Sequence, residues 1–457
     1  MNRMYRYISL AALLILFATS CKVGKEYARP ALNLPETLDA EADSSSVASI
    51  HWKALYADPV LQNLIERALQ NNKDMLIAAA RVKEMAESKR ISFASRFPEI
   101  GARLNAQKER LNYGGDNPKP DPEFSGKLTV AWELDFWGRL RWAHEADVAA
   151  YMQTVEAQRA LQMSLIAEVA SSYYELMALD KELSIVKQTR AAREQGVRLA
   201  KLRYEGGLTS QTVYNQAQVE LARSETLIPT LERDIRIKEN DIALLLGEYS
   251  FEIPRHSADG LETLPDMLPA GLPSSLLERR PDMRAAEQKL RAAHARVGVA
   301  YTNLFPRISL TGNLGLESDE LANLLKSPAW FIAGDLLQPL FAMGKNRAAL
   351  KAAQARYEQE VYQYQKEVLV AFAEVNDALV TIRKVKEIRA SRENLQDAAN
   401  EYMRLAQLQY INGIINYIDL LDAQRGLLDA QLGLNDALLA EQLAVVHLYK
   451  VLGGGYN

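Results

Sequence analysis

The sequence holds a single cysteine, and the residues around it say what chemistry that thiol could undergo. Arg3 and Arg6 precede an apolar run from Ile8 to Ala18, and small residues then lead to Cys21. That is the layout of a secretory signal peptide over residues 1–20. Its end, Ala18-Thr19-Ser20-Cys21, resembles a bacterial lipobox, in which the thiol takes a lipid and the cysteine becomes the mature N-terminus. A second group lies directly after the break Asn412-Gly413, where Ile414, Ile418, Asp419 and Asp422 put two carboxylates and two large aliphatic side chains close together. Closely spaced like charges of this kind attract cations. Arg425 stands three residues beyond Asp422, a spacing that allows an intrahelical pair and equally a tie at the same cluster.

Other chemistry has little support. His51, His144, His256, His294 and His447 are far apart, without ligand spacing, and one cysteine cannot build a thiolate metal site. No phosphate loop, nucleophile elbow or metal motif is present, so neither an enzyme nor a bound cofactor is expected, beyond a covalent lipid on Cys21. A formal charge of −4 gives no basic footprint, and nucleic acid is not an expected partner. After the N-terminus no apolar run reaches the length of a spanning helix, so any membrane segment must be built from strands.

Such strands are legible. From Phe124 to Phe136 the sequence alternates, with Phe124, Gly126, Leu128, Val130, Trp132, Leu134 and Phe136 on one face and Ser125, Lys127, Thr129, Ala131, Glu133 and Asp135 on the other. A period of two means a strand. An apolar outer face with aromatics at both ends, backed by a charged inner face, is the pattern of a transmembrane barrel strand. The spacing predicts strands at about 98–110 and 124–137, joined by a wet loop rich in glycine and proline, and again at about 306–317 and 329–341.

Helical pattern surrounds these hairpins. A stripe through Leu61, Leu64, Ile65, Leu69, Ile77 and Val82 predicts a helix from Asp58 to about Phe97. Leu140 to Glu205 carries no proline and would reach roughly 100 Å at about 1.5 Å per residue. Gly206-Gly207 ends it, Thr209 or Ser210 can cap the next helix, and Pro229 is expected to kink that helix before Leu246-Gly247. The second half repeats the first: Leu304-Phe305-Pro306 echoes Arg96-Phe97-Pro98, Asn412-Gly413 echoes Gly206-Gly207, and Leu452-Gly453 echoes Leu246-Gly247. The expected organisation is a signal peptide (1–20), an N-terminal strap (21–57), a first repeat (58–247), a linker (248–275), a second repeat (276–453) and a tail (454–457). Each repeat is a helix, β-hairpin, long helix, helix unit. Four strands cannot close a barrel in lipid, so the chain must oligomerise.

The chain resembles the TolC-type outer-membrane factors, and among them the OprM-like lipoproteins of resistance-nodulation-division (RND) efflux pumps. The residues that carry this are Cys21-Lys22-Val23-Gly24 with Tyr27 and Pro30, Trp52 to Leu61 containing Asp58-Pro59, Arg279-Arg280-Pro281-Asp282, and Leu421-Asp422-Ala423-Gln424-Arg425. The resemblance implies an α-helical barrel joined to a transmembrane β-barrel: a homotrimer with twelve strands, four per protomer, and a periplasmic coiled-coil tunnel. It also implies a passive conduit for small molecules, a periplasmic adaptor and an inner-membrane RND transporter as partners, contact with outer-membrane lipid, and a lipid anchor at Cys21. The family's periplasmic gate maps onto Ile414 and Ile418 as a constriction, Asp419 and Asp422 as carboxylate rings, and Arg425 beside them, whereas the first repeat has Val213 and Gln216 in place of the two aspartates. A duct for type I protein secretion on the same fold, and a lipid-anchored periplasmic coiled-coil scaffold, are the competing readings.

Overall fold

The computed structural model describes residues 22–32, 50–110, 120–255 and 278–456. The expected signal peptide, Cys21 and most of the 248–275 linker lie outside the described residues. In order, the elements are α1 (Trp52–Leu55), α2 (Pro59–Asn71), α3 (Lys73–Ala94), β1 (Glu99–Arg110), β2 (Pro120–Leu134), α4 (Arg139–Glu205) and α5 (Gln211–Leu245). After these come α6 (Pro281–Thr302), β3 (Arg307–Ser318), a 3-10 turn (Leu321–Lys326), β4 (Pro328–Leu337), α7 (Lys345–Ile411) and α8 (Tyr417–Val451). The long helices match in length, 67 residues each for α4 and α7, and so do their successors at 35 residues each for α5 and α8.

Several boundaries depart from the sequence pattern, and local contacts account for three of them. The helix expected from Asp58 to Phe97 is two helices that meet at Asn72, because this side chain is used twice: its Oδ1 accepts the Met75 N–H at 3.1 Å and its Nδ2 donates to the Leu245 carbonyl at 2.9 Å. Strand β2 ends at Leu134 rather than 137, since the Asp135 carboxylate turns to accept the Leu140 and Arg141 N–H groups, both at 2.9 Å, at the start of α4. Strand β4 ends at Leu337 rather than 341, where Pro339 has no N–H to extend the ladder. Ser210 occupies the N-cap of α5 without a side-chain cap hydrogen bond. Pro229 lies inside the unbroken α5.

The chain divides into two compact units, and both draw on both repeats. One comprises residues up to Leu32, Ala80–Val155 and Ala285–Lys366, and contains the sheet. Its strands run in the order β1-β2-β3-β4, antiparallel throughout, so the two hairpins are joined by β2 to β3. Beside the sheet, Trp142 of α4 is 1% exposed and packs on Ala146, Ala295 and Val299. The indole lies so close to Gly298 of α6 that any side chain there would strike it.

The other unit comprises Asn33–Ala79, Glu156–Arg284 and Glu367–Asn457. Its main core gathers Leu61, Leu64 and Ile65 of α2 with Val169, Tyr173 and Leu176 of α4, Ile242 of α5, Val375 of α7 and Leu448 of α8, all buried. Two polar ties hold helix ends to this core. Asp58 caps α2 through the Val60 N–H at 2.7 Å and accepts the Tyr173 hydroxyl at 2.8 Å. Arg280, at the start of α6, pairs with Asp282 and Glu374, each at 2.7 Å, and donates to the Val451 carbonyl at 3.2 Å.

The Gly298 contact yields a prediction. Gly298→Ala should lower the unfolding temperature of the detergent-solubilised protein by an amount corresponding to about 1–3 kcal/mol, the usual cost of overpacking. Replacing Trp142 by Phe in the same chain should recover part of that loss, because the two positions share one contact. Additive losses in thermal melts would remove the close approach as their cause.

Candidate functional site: the apolar sheet and the helix turns

Directly paired residues of an antiparallel sheet share a face, so the register decides whether the alternation in each strand adds up to a surface. It does. One row runs Ala102, Leu128, Leu314, Trp330, and the next runs Ile100, Val130, Gly312, Ile332. Further rows join Trp132 to Leu310 and Gly334, and Leu134 to Ile308 and Leu336. These side chains face outward from the protomer: Ile100 is 71% exposed, Leu314 63% and Trp330 75%. The opposite face holds Arg103 beside Lys127, and Thr129 beside Asn313, and Lys127 pairs with Glu317 at 2.7 Å. Strand β4 puts Phe331 and Ala329 on this polar face, which is why its alternation is hard to read. Across these rows the exposed face is apolar and the back is polar and charged, which suits hydrocarbon on one side and water on the other.

The base of the sheet is fixed by aromatic and charged groups. The Trp132 Nε1 donates to the Arg96 carbonyl at 3.0 Å, and the Trp137 Nε1 to the Pro306 carbonyl at 2.8 Å. Tryptophans anchored at strand ends are the girdle expected where hydrocarbon meets headgroups. Arg139 pairs with Glu133 at 2.7 Å and Arg141 with Asp135 at 3.2 Å, tying the first turn of α4 to the end of β2.

In the other unit, four helices meet at two turns. Ala200 of α4, Ala217 of α5, Ala406 of α7 and Ala423 of α8 pack with Tyr410, Tyr417, Leu420 and Leu421, the small residues letting the backbones approach. Each turn holds a glycine at positive φ, Gly207 at 74° and Gly413 at 75°, and each closes with the next N–H reaching back to the helix, Leu208 to Arg203 and Ile414 to Gln409. Arg203 donates to the Tyr410 and Ile411 carbonyls, satisfying the end of α7.

The gate candidates divide on this scaffold. Ile414 and Ile418 are exposed, at 71% and 65%. Asp419 and Asp422 are exposed as well. Ile418, Asp422 and Arg425 succeed one another on the face of α8 opposite its buried residues Tyr417, Leu420 and Leu421. Asp419 Oδ2 accepts the Asn416 N–H at 3.0 Å, so it also caps the helix. Tyr402 of α7 reaches Asp422 at 3.5 Å. Arg425 pairs with Glu220 of α5.

Sequence pattern alone does not single out Glu220. Its side chain is 4% exposed and receives three arginines: Arg425, Arg223 at 2.9 Å and Arg193 at 3.6 Å. Arg193 of α4 also donates to the Glu220 carbonyl at 2.9 Å and to the Ser224 hydroxyl at 2.8 Å. The hydrogen bond from Arg425, and then the charges of Arg193 and Arg223, hold the Glu220 carboxyl below the usual carboxylate range against the opposing effect of burial. The available signal is a glutamate on the stripe Ala217, Glu220, Ser224 that α5 buries.

Residues 64–248 and 272–454 match the family described as Outer membrane efflux protein. The chain belongs to the outer membrane efflux protein family. Among curated relatives of this family, it is 32% identical to outer membrane protein OprJ of Pseudomonas aeruginosa, over 98% of this chain and 95% of that protein. It is 30% identical to the probable outer membrane lipoprotein SilC of Salmonella typhimurium, over 99% of each. Among solved structures, the open state of the MtrE outer membrane channel of Neisseria gonorrhoeae superposes with a TM-score of 0.86 at 28% identity, over 96% of this chain and 99% of that one.

The geometry gives two predictions. Leu128→Arg puts a charge on the apolar face, at a cost of about 2–4 kcal/mol near a bilayer midplane, whereas Thr129→Arg faces water. Heat-resistant oligomer in extracted outer membranes should therefore fall for Leu128→Arg and persist for Thr129→Arg. The second concerns pH. Because the folded Glu220 carboxyl titrates below its unfolded value of about 4.3, its stabilising effect is complete above that pH and is lost as pH falls through the folded pKa. Amide hydrogen exchange at the turns after Glu205 and Ile411, corrected for its intrinsic pH dependence, should rise below about pH 4. In Glu220→Gln the same amides should already be unprotected at neutral pH, with the acid-induced rise reduced.

Proposed function

We propose that the protein is the outer-membrane channel of a tripartite efflux system, passing small molecules from the periplasm to the exterior. The observation that carries this is the sheet: an apolar exposed face continuous across four strands, with β1 and β4 at its edges. In lipid such edges must be paired. Three copies joined β4 to β1 close a barrel of twelve strands with the polar face inward, and a barrel larger than eight strands leaves room for an aqueous path. The names of relatives point the same way without fixing the cargo, since they include a cation efflux system protein and a toluene efflux pump outer membrane protein. A passive duct takes its cargo from whatever is docked below it. A periplasmic adaptor and an inner-membrane RND transporter are the partners this role requires, and a lipid on Cys21 is the anchor.

Within this reading the turn after Gly413 is the periplasmic gate. Ile414 and Ile418 form the constriction, Asp419 and Asp422 supply carboxylates that the three-fold axis gathers into rings, and Arg425 holds α8 to α5 through Glu220. Rings of carboxylates favour cations.

Single-channel recording in planar bilayers tests both statements. The wild-type protein should give small openings that trivalent cations block from the periplasmic side. Asp419→Asn with Asp422→Asn should abolish the block, and Ile414→Ala with Ile418→Ala should raise conductance. Absence of any conductance from correctly assembled trimers would sink the channel reading. Full cation block in the double asparagine variant would remove these aspartates from the gate.

A further inference from the structure

In the unit that holds the sheet, a cavity of about 580 Å³ lies between the N-terminal segment and helices α6 and α7. Its walls are Val23 and Gly24 of the segment, Val297 and Tyr301 of α6, and Leu350 and Tyr357 of α7. Lys25, His294 and Gln354 add the polar groups.

The space is held open by the way the segment is pinned. Val23 donates its N–H to the Trp137 carbonyl at 3.2 Å and accepts the Trp142 indole N–H at 2.8 Å. Lys22 places its ammonium 3.2 Å from the Trp142 ring centroid and pairs with Glu145. Further along, Arg29 pairs with Glu287, and the Arg291 guanidinium lies 5.0 Å from the Tyr27 ring. The segment is thus tied to α4 at one end and to α6 at the other, and cannot drop into the gap.

The lining suits an aliphatic occupant. His294 brings no charge to the site, because Tyr27, Trp142 and Tyr357 surround its ring at centroid distances of 5.7, 5.7 and 5.5 Å, and burial lowers its pKa, favouring the neutral form. One wall continues into the aromatic group at the base of the sheet: Tyr301 packs on Phe305 at 5.6 Å, and Phe305 stacks on Trp137 at 4.9 Å. Aromatic groups of this kind mark the level at which acyl chains begin. Cys21 is two residues upstream of Val23, and two residues of chain span at most about 8 Å.

We propose that this cavity is a lodging site for a lipid alkyl chain, supplied by an acyl group on Cys21, a step that rests on the lipid-anchor reading of that cysteine. The lipid then packs against the protein as part of its fold at the membrane boundary, in addition to entering the bilayer.

The test uses the full-length protein made in bacteria fed a fatty acid that carries a photoreactive diazirine. After irradiation and purification of the trimer, intact mass reports acylation of Cys21, and peptide mapping reports where label has attached. The expected result is an acylated N-terminus with label joining the N-terminal lipopeptide to peptides containing Val297–Tyr301 or Leu350–Tyr357. Filling the cavity with Val297→Trp and Leu350→Phe should cut that adduct at least tenfold and leave the acyl mass unchanged. An acylated Cys21 without adducts on these peptides overturns the cavity assignment while the anchor stands. Adducts of free phospholipid mass on the same peptides, with Cys21 acylated, overturn Cys21 as the source. An N-terminus without acyl mass overturns the anchor reading and the proposal with it.

Discussion

The pairing of β2 with β3 is the contact on which the sheet depends. Backbone N–H and C=O groups that enter hydrocarbon must all be bonded, and a two-stranded hairpin leaves half of them bare. Joining the hairpins of the two repeats through Thr129 opposite Asn313 and Leu128 opposite Leu314 satisfies the inner pair of strands and leaves only the outer edges of β1 and β4. The register cannot slip by one residue, because such a shift would put Lys127 and Glu317 on the apolar face. Duplication puts two hairpins in one chain, so this pairing is made within the protomer.

The demands of the strand ends then shape the helices. Asp135 sits at the point where the two-residue period must give way to a helical one, and its carboxylate meets two of the unpaired N–H groups at the start of α4. Arg139 and Arg141 answer Glu133 and Asp135 across the same corner. In the sequence these residues read as the inner face of a strand continued to Phe136. Period alone could not show the corner, since an aspartate caps a helix as readily as it faces water.

Legibility tracked the strength of the repeating pattern. Long helices, their glycine ends and three of the four strands could be placed from period and punctuation. The less regular β4 was blurred, because its polar face carries Phe331 and Ala329. The residues that carried the family resemblance mostly have structural roles: Asp58 caps α2 and holds Tyr173, Arg280 gathers Asp282, Glu374 and the end of α8, and Lys22 to Gly24 lie against Trp142. Long-range partners such as Glu374 for Arg280, or Glu220 for Arg425, have no signature in a single sequence, as nothing local marks which distant carboxylate an arginine will meet.

The two repeats are alike in their turns and differ in the helices that begin there. After Gly207, α5 begins at Ser210 without a side-chain cap, and its first turns bury Ala217 and Glu220. After Gly413, Asp419 caps α8, and Ile418 and Asp422 remain on its exposed face. The two aspartates are consequently not equivalent. Asp419 spends one oxygen on the Asn416 N–H, so its position is set by the helix start and moves only with it. Asp422 accepts the Tyr402 hydroxyl at 3.5 Å and takes no part in the cap. Arg425, one turn further, anchors the same face to a glutamate that is itself buried among arginines. The exposed face of α8 is thus held at its start by the Asp419 cap and, further along, by an ion pair to α5.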